Sequence, residues 1–327
     1  MKKQILRILP IAIVVVTGLL GLLAYQNRVY LTDLFLSFQY SASPELSSLE
    51  NDLELTDSAG LILRASHPSL ESREEFNILC DSHDEQISVL GCYTDRKIYI
   101  YNIEESELSG IKESTLAHEL LHAVWARTPS SERDHISRLL AEVYNQQEYH
   151  DQLAEDLETY DDAERVDELH SRIGTEIANL PAELESHYAK YFKNQDKVVD
   201  FYENYITPFR ELSEEIDNLS TELEKLNQEI EEKTSAYYKS AEKLSAEIDE
   251  FNNCARTSGC FATEYAFNAR RNQLLANESE IESAYEKLNK MINDYNKLVE
   301  EYNANVIRGE TLESVINSNA KYEEKIK

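Results

Sequence analysis

His118, Glu119 and His122 are the residues of this 327-residue chain whose types and spacing do chemistry together, as His-Glu-x-x-His. Residues four apart lie on one face of a helix, so the two imidazoles can share a metal ion. Glu119 then sits one step round, within reach of a water on that ion. Zinc in such a site keeps one position open for water and lowers its pKa to about 7, and a neighbouring carboxylate acts as general base. The chemistry expected is zinc-dependent hydrolysis of a peptide bond, with Zn2+ as cofactor.

The helix that must present these groups is apolar nearly all round, with Leu116, Ala117, Leu120, Leu121, Ala123 and Val124 in its flanks. Such a helix is buried, and polar groups on it need partners. A metal supplies one. Two histidines do not complete a protein zinc site, so a third ligand has to come from elsewhere. Helical patterning resumes after Pro129, with a cap at Ser130 or Ser131, and runs to about Tyr205 with breaks at Tyr160-Asp161-Asp162 and Leu180-Pro181. Within it, the stretch from Arg165 to Glu176 offers Glu168, Glu176 and His170 as third ligands. The aromatics Tyr188, Tyr191 and Phe192 are expected to cover the histidine helix.

His118-Glu119-x-x-His122, with a downstream helix bearing Glu168-Leu169-His170-Ser171, resembles the gluzincin class of zinc metallopeptidases over about residues 90–180. The resemblance implies a zincin-like domain, His118, His122 and Glu168 as metal ligands, and Glu119 as general base. It departs at Arg172, where some members carry an acid. Glu176 therefore stays open as an alternative ligand, and His170 as one that would make a three-histidine site.

Ahead of the motif the pattern is shorter. Leu61-Ile62-Leu63 is expected as a strand, Glu71 to Leu79 as a helix and Ile87 to Tyr93 as a strand. The β-branched and aromatic run Ile98 to Ile103 is a further strand, and a candidate sheet edge for holding an extended peptide. Four cysteines fall into two local pairs, Cys80 with Cys92 and Cys254 with Cys260, which suggests two disulfides in an oxidising compartment.

Lys2, Lys3 and Arg7 precede the uncharged run Ile8 to Tyr25, long enough to cross a bilayer. With no small-residue cleavage site after it, this reads as an uncleaved transmembrane signal-anchor, N-terminus cytoplasmic and the bulk of the chain outside the cell membrane. A net charge of -30 argues against nucleic acid as a partner.

From Phe209 to Ser258 and from Cys260 to Arg308 there is one glycine-free, proline-free arm each, joined at Cys254 to Cys260. Thr207 and Pro208 read as the cap and first position of the first arm. Leu212, Ile216, Leu219, Leu223, Leu226 and Ile230, then Ile281, Tyr285, Leu288, Ile292, Tyr295, Val299, Tyr302 and Val306, recur at steps of four and three. That is coiled-coil patterning, and equal arms about a short bend predict an antiparallel hairpin. Its middle, Lys233 to Ser240 with Arg271 and Glu278, is poor in apolar residues.

The expected architecture is α+β. Residues 1–28 form the anchor, 29–206 the zincin-like domain with a short sheet, 207–308 the coiled-coil hairpin, and 309–327 a short helix and tail. The expected function is a membrane-anchored zinc peptidase acting on protein or peptide substrates, with a coiled-coil partner or self-association through the arms. The alternative is a structural or interaction coiled-coil envelope protein whose metal-binding domain is inactive.

Overall fold

The computed structural model describes residues 17–80, 90–146, 153, 157 and 161–318. The fold is mostly α-helical with one small sheet, and the chain divides into two compact units, Met1–Pro208 with Glu313–Lys327, and Phe209–Leu312. Among the described residues no helix is long and apolar enough to cross a membrane. Residues 8–16 of the expected anchor lie outside them.

The first unit opens with helices α1 (Arg28–Gln39), α2 (Pro44–Asp52) and α3 (Asp57–Ala65). α2 and α3 start where side chains supply the missing acceptor: Ser43 Oγ takes the Leu46 N–H at 3.1 Å and Thr56 Oγ1 the Ala59 N–H at 3.2 Å. The strand expected at Leu61-Ile62-Leu63 is corrected, since these residues lie in α3. The Thr56 cap sets a helix there, and its turn-spaced Ala59 and Leu63 are fully buried.

Strand β1 (Ser69–Glu71) leads into α4 (Arg73–Leu79), followed by β2 (Gly91–Thr94) and β3 (Lys97–Tyr101). Part of the strand expected from Ile87 lies outside the described residues. The sheet order is β1-β3-β2, with β1 parallel and β2 antiparallel to β3. This corrects the expectation of a peptide-binding edge at Ile98 to Ile103. β3 is the central strand, with Ile98 and Ile100 buried at 0% and 1% exposure, and both its ladders are taken. Cys80 at the end of α4 is bonded to Cys92 of β2, Cα to Cα 6.1 Å.

Helices α5 (Ile111–Arg127), α6 (Ser130–Tyr144), α7 (Asp162–Glu176) and α8 (Ala182–Tyr188) complete the unit, with the start of α9 (Gln195–Arg256). α5 is its centre. Leu116, Ala117, Leu120, Leu121 and Ala123 are fully buried in one core with Ile98, Ile100, Ile173, Tyr188, Tyr191 and Phe192, so the expected aromatic cover is present.

The second unit is an antiparallel pair formed by α9 and α10 (Glu264–Ile316). Cross-contacts fall in numbering on one helix as they rise on the other: Phe251 with Phe267, Glu247 with Arg270 and Asn277, Tyr237 with Tyr285. Cys254 and Cys260 staple the turn, Cα to Cα 5.3 Å. Leu212, Leu219, Leu244, Leu274, Leu288 and Leu312 are its buried leucines. The apolar gap near Lys233 to Ser240 is bridged by the Tyr237 and Tyr285 rings, 5.9 Å apart.

Two helix boundaries need correction. Pro208 does not start a helix but lies inside α9, and Gly309 lies inside α10, which runs on to Ile316. An interior proline costs about 3 kcal/mol and a glycine about 1 kcal/mol. α9 nonetheless begins at Gln195, because its first turns bury Val198, Val199 and Tyr202 in the core. Burial outweighs the breaker.

Candidate metal centre

α5 enters its first turn from Gly110, whose φ of 96° suits glycine, and a Cβ there would run into the Phe201 carbonyl oxygen. Its last turn is fixed by a buried, bidentate ion pair. Arg127 Nε donates to Asp33 Oδ2 at 2.9 Å and Nη2 to Oδ1 at 3.0 Å, while Nη1 donates to the Tyr93 hydroxyl at 2.9 Å. Between these ends the helix is buried except along the strip that carries His118 and His122, whose side chains are 22% and 18% exposed.

α7 lies against α5, and the close approach depends on Gly174. A Cβ there would meet Leu121 and Tyr188 carbons at 2.5 Å, closer than real side chains come. Asp161 caps the helix by accepting the Glu164 N–H at 3.0 Å. The result is that Glu168 faces the two histidines.

His118 Nε2 and His122 Nε2 stand 3.0 Å apart. Glu168 reaches both, Oε1 to His118 Nε2 at 3.5 Å and Oε2 to His122 Nε2 at 3.3 Å. One ligating atom from each residue lies within 4.8 Å of the other two, a spacing at which the three can hold a single metal ion.

The electrostatics follow from the same contacts. Burial disfavours the imidazolium at His118, but the Glu168 carboxylate overrides it and the pKa lies above its usual value. At His122 burial is overridden by hydrogen bonds to Asp167 and Glu168, and the pKa is well above the usual value. Burial alone would raise Glu168; the two imidazoles outweigh it and hold the carboxyl well below its ordinary range. Glu168 is therefore ionised, as a metal ligand must be.

The other two candidates are turned elsewhere. Glu176 is paired within its own helix, where Arg172 Nε donates to Oε1 at 2.9 Å and Nη2 to Oε2 at 3.2 Å. His170 is fully buried on another face of α7, its Nε2 2.9 Å from His187 Nε2. Charge pairing removes the first from the cluster, and the helix turn between Glu168 and His170 removes the second.

No protein family, curated protein or solved structure matches this chain.

Asp167 went unremarked in the sequence. Its Oδ1 accepts the His122 Nδ1 proton at 2.8 Å, which directs Nε2, as the free donor atom, toward His118 and Glu168. A carboxylate behind a ligating histidine is a common arrangement in metal sites, and that rule applied to the residue beside Glu168 is the signal that would have found it. Glu119 is 5% exposed and lies under β2, where a Cβ on Gly91 would fall 2.7 Å from Glu119 Cγ and from Thr115 Cγ2. Glycine at position 91 lets bare strand backbone rest on the glutamate.

Proposed function

We propose that this chain is a membrane-anchored, extracytoplasmic zinc peptidase of gluzincin type, with the helix pair as a coiled-coil spacer or partner-binding arm. The observation that carries the reading is the meeting of His118, His122 and Glu168 at one point, beside Glu119 and next to a strand. Two imidazoles and a carboxylate are the donor set of a zinc site that retains an open position.

Zinc held there supplies a Lewis acid for the scissile carbonyl and lowers the pKa of water. The chain's own groups do the rest. Glu119 takes the proton of the attacking water and returns it to the leaving amine. Asp167 keeps the His122 ring turned to the ligand position, and Glu168 balances charge. β2, the outer strand on this side of the sheet among the described residues, offers main-chain groups along Gly91–Thr94 to an extended peptide lying past Glu119.

The test is Glu119→Gln, close in size to the original at a tightly packed position. Cleavage of a broad peptide library should fall by about 100- to 10,000-fold, with zinc content and thermal unfolding unchanged. Cleavage at the unsubstituted rate would remove Glu119 from the mechanism. If the unsubstituted chain holds zinc and cleaves nothing, the long α9–α10 pair makes an interaction protein the better reading.

A further inference from the structure

α1 is fastened by one face and bare on the other. The fastened face carries Asp33, 3% exposed, which accepts from Arg127 of α5 and from Arg96 Nη2 at 2.8 Å. At about 100° per residue, Leu31, Phe35 and Phe38 fall on one stripe opposite Asp33, and they are 44%, 63% and 81% exposed. Single exposed apolar side chains are ordinary; a stripe with two phenylalanines marks a contact surface.

The chain on the N-terminal side identifies the contact. Residues 17–26 are helical, and Leu19, Leu20, Leu22, Leu23 and Tyr25 are each more than half exposed. At Asn27 the backbone leaves helical geometry, with φ -101° and ψ 18°. Side chains close the end: Asn27 Nδ2 donates to the Leu23 carbonyl at 2.8 Å, Arg28 Nη1 to that of Tyr25 at 3.3 Å, and the guanidinium lies 4.7 Å over the Tyr25 ring. Tyrosine and arginine are side chains suited to a bilayer–water boundary.

We propose that α1 lies in that boundary, with Leu31, Phe35 and Phe38 set among the headgroups and upper acyl chains of the same bilayer that holds residues 8–25. The inference rests on the anchor reading given under Proposed function. An interfacial helix sinks its apolar face about 5–10 Å into this layer. With a chain net charge of -30 the attraction is apolar, so neutral lipid suffices. Because Asp33 is bound to Arg127, docking of α1 also fixes how high the histidine helix sits above the lipid, which favours substrates cut close to the membrane.

The experiment places the full chain carrying Phe38→Trp in phosphatidylcholine vesicles brominated on the upper acyl chains. Trp125, the sole native tryptophan, is 5% exposed and gives the background in the unsubstituted chain. The introduced indole should lose about half its emission or more relative to unbrominated vesicles, as expected of a side chain at that depth, and Phe35→Trp should repeat the result. If the chain floats with the vesicles and resists a carbonate wash but neither indole is quenched, the proposal falls and the anchor stands. Blue-shifted, unquenched emission would identify a protein neighbour and likewise overturn it. If the chain does not enter vesicles, both readings fall together.

Discussion

The pairs His118/His122 and His170/His187 lie in the same unit and have nearly the same internal geometry. The Nε2 atoms are 3.0 Å apart in the first pair and 2.9 Å in the second, the ring centroids 4.8 and 5.1 Å, the interplanar angles 69° and 71°. Their surroundings separate them. The first pair meets Glu168 and Asp167 and is partly open. The second is 0% and 2% exposed, packed in tilted and edge-on contacts among Trp125, Tyr188 and Tyr191, with no carboxylate hydrogen-bonded to either ring among the described residues. Proton affinities accordingly move in opposite directions: carboxylates raise the first pair, while burial pushes His170 well below its usual value and His187 down to about 4. Of the two pairs, the first combines facing imidazoles with an acid and an open side, the combination that a zinc site requires.

The largest effect that can break this contrast comes from removing one histidine from each pair in turn. His122→Ala should leave the chain without stoichiometric zinc and without peptide cleavage, whereas His187→Gln should retain both, as measured by metal content and a peptide assay on the same preparations. Equal losses in the two variants would mean that the pairs share one role. Next in size is Asp167→Ala, expected to weaken zinc binding about 10- to 100-fold by freeing the His122 ring, read by competition with a chelator.

The smallest effect is on stability against pH. His187 titrates at about 4 in the folded chain against an ordinary 6.5, so the unfolded chain takes up the proton first. Its contribution is complete above pH 6.5 and is lost as pH falls toward 4. Urea midpoints should therefore drop between pH 7 and pH 5 in the parent, and less in His187→Gln, which keeps a hydrogen-bonding group toward His170.

Local rules made much of this legible. The i, i+4 histidines, the paired cysteines and the steps of four and three in the arms are short-range patterns, and short-range patterns survive into the fold. Long-range choices were not readable. Nothing in Leu61-Ile62-Leu63 says that the Thr56 cap wins over a strand, and nothing in Ile98 to Ile103 says that β1 would return to cover its second edge. Pro208 and Gly309 look like ends because propensity is local, yet the core buried by Val198, Val199 and Tyr202 carries the helix past the first of them. In the site, the Arg172–Glu176 pair is an i, i+4 contact that spacing encodes, whereas the burial of His170 against His187, seventeen residues on, depends on packing that spacing does not encode. Asp167 was readable in principle, by asking what orients the second histidine.

Glu168 is the acid that completes the cluster, and its removal is the most direct test of a zinc site. Zinc content should be compared across the full-length parent, Glu168→Ala and Glu176→Gln, purified alike and matched for folding by circular dichroism. Stoichiometric zinc in the parent and in Glu176→Gln, with loss in Glu168→Ala, is the predicted result. Zinc retained in Glu168→Ala, or absent from the parent after zinc reconstitution, would contradict it.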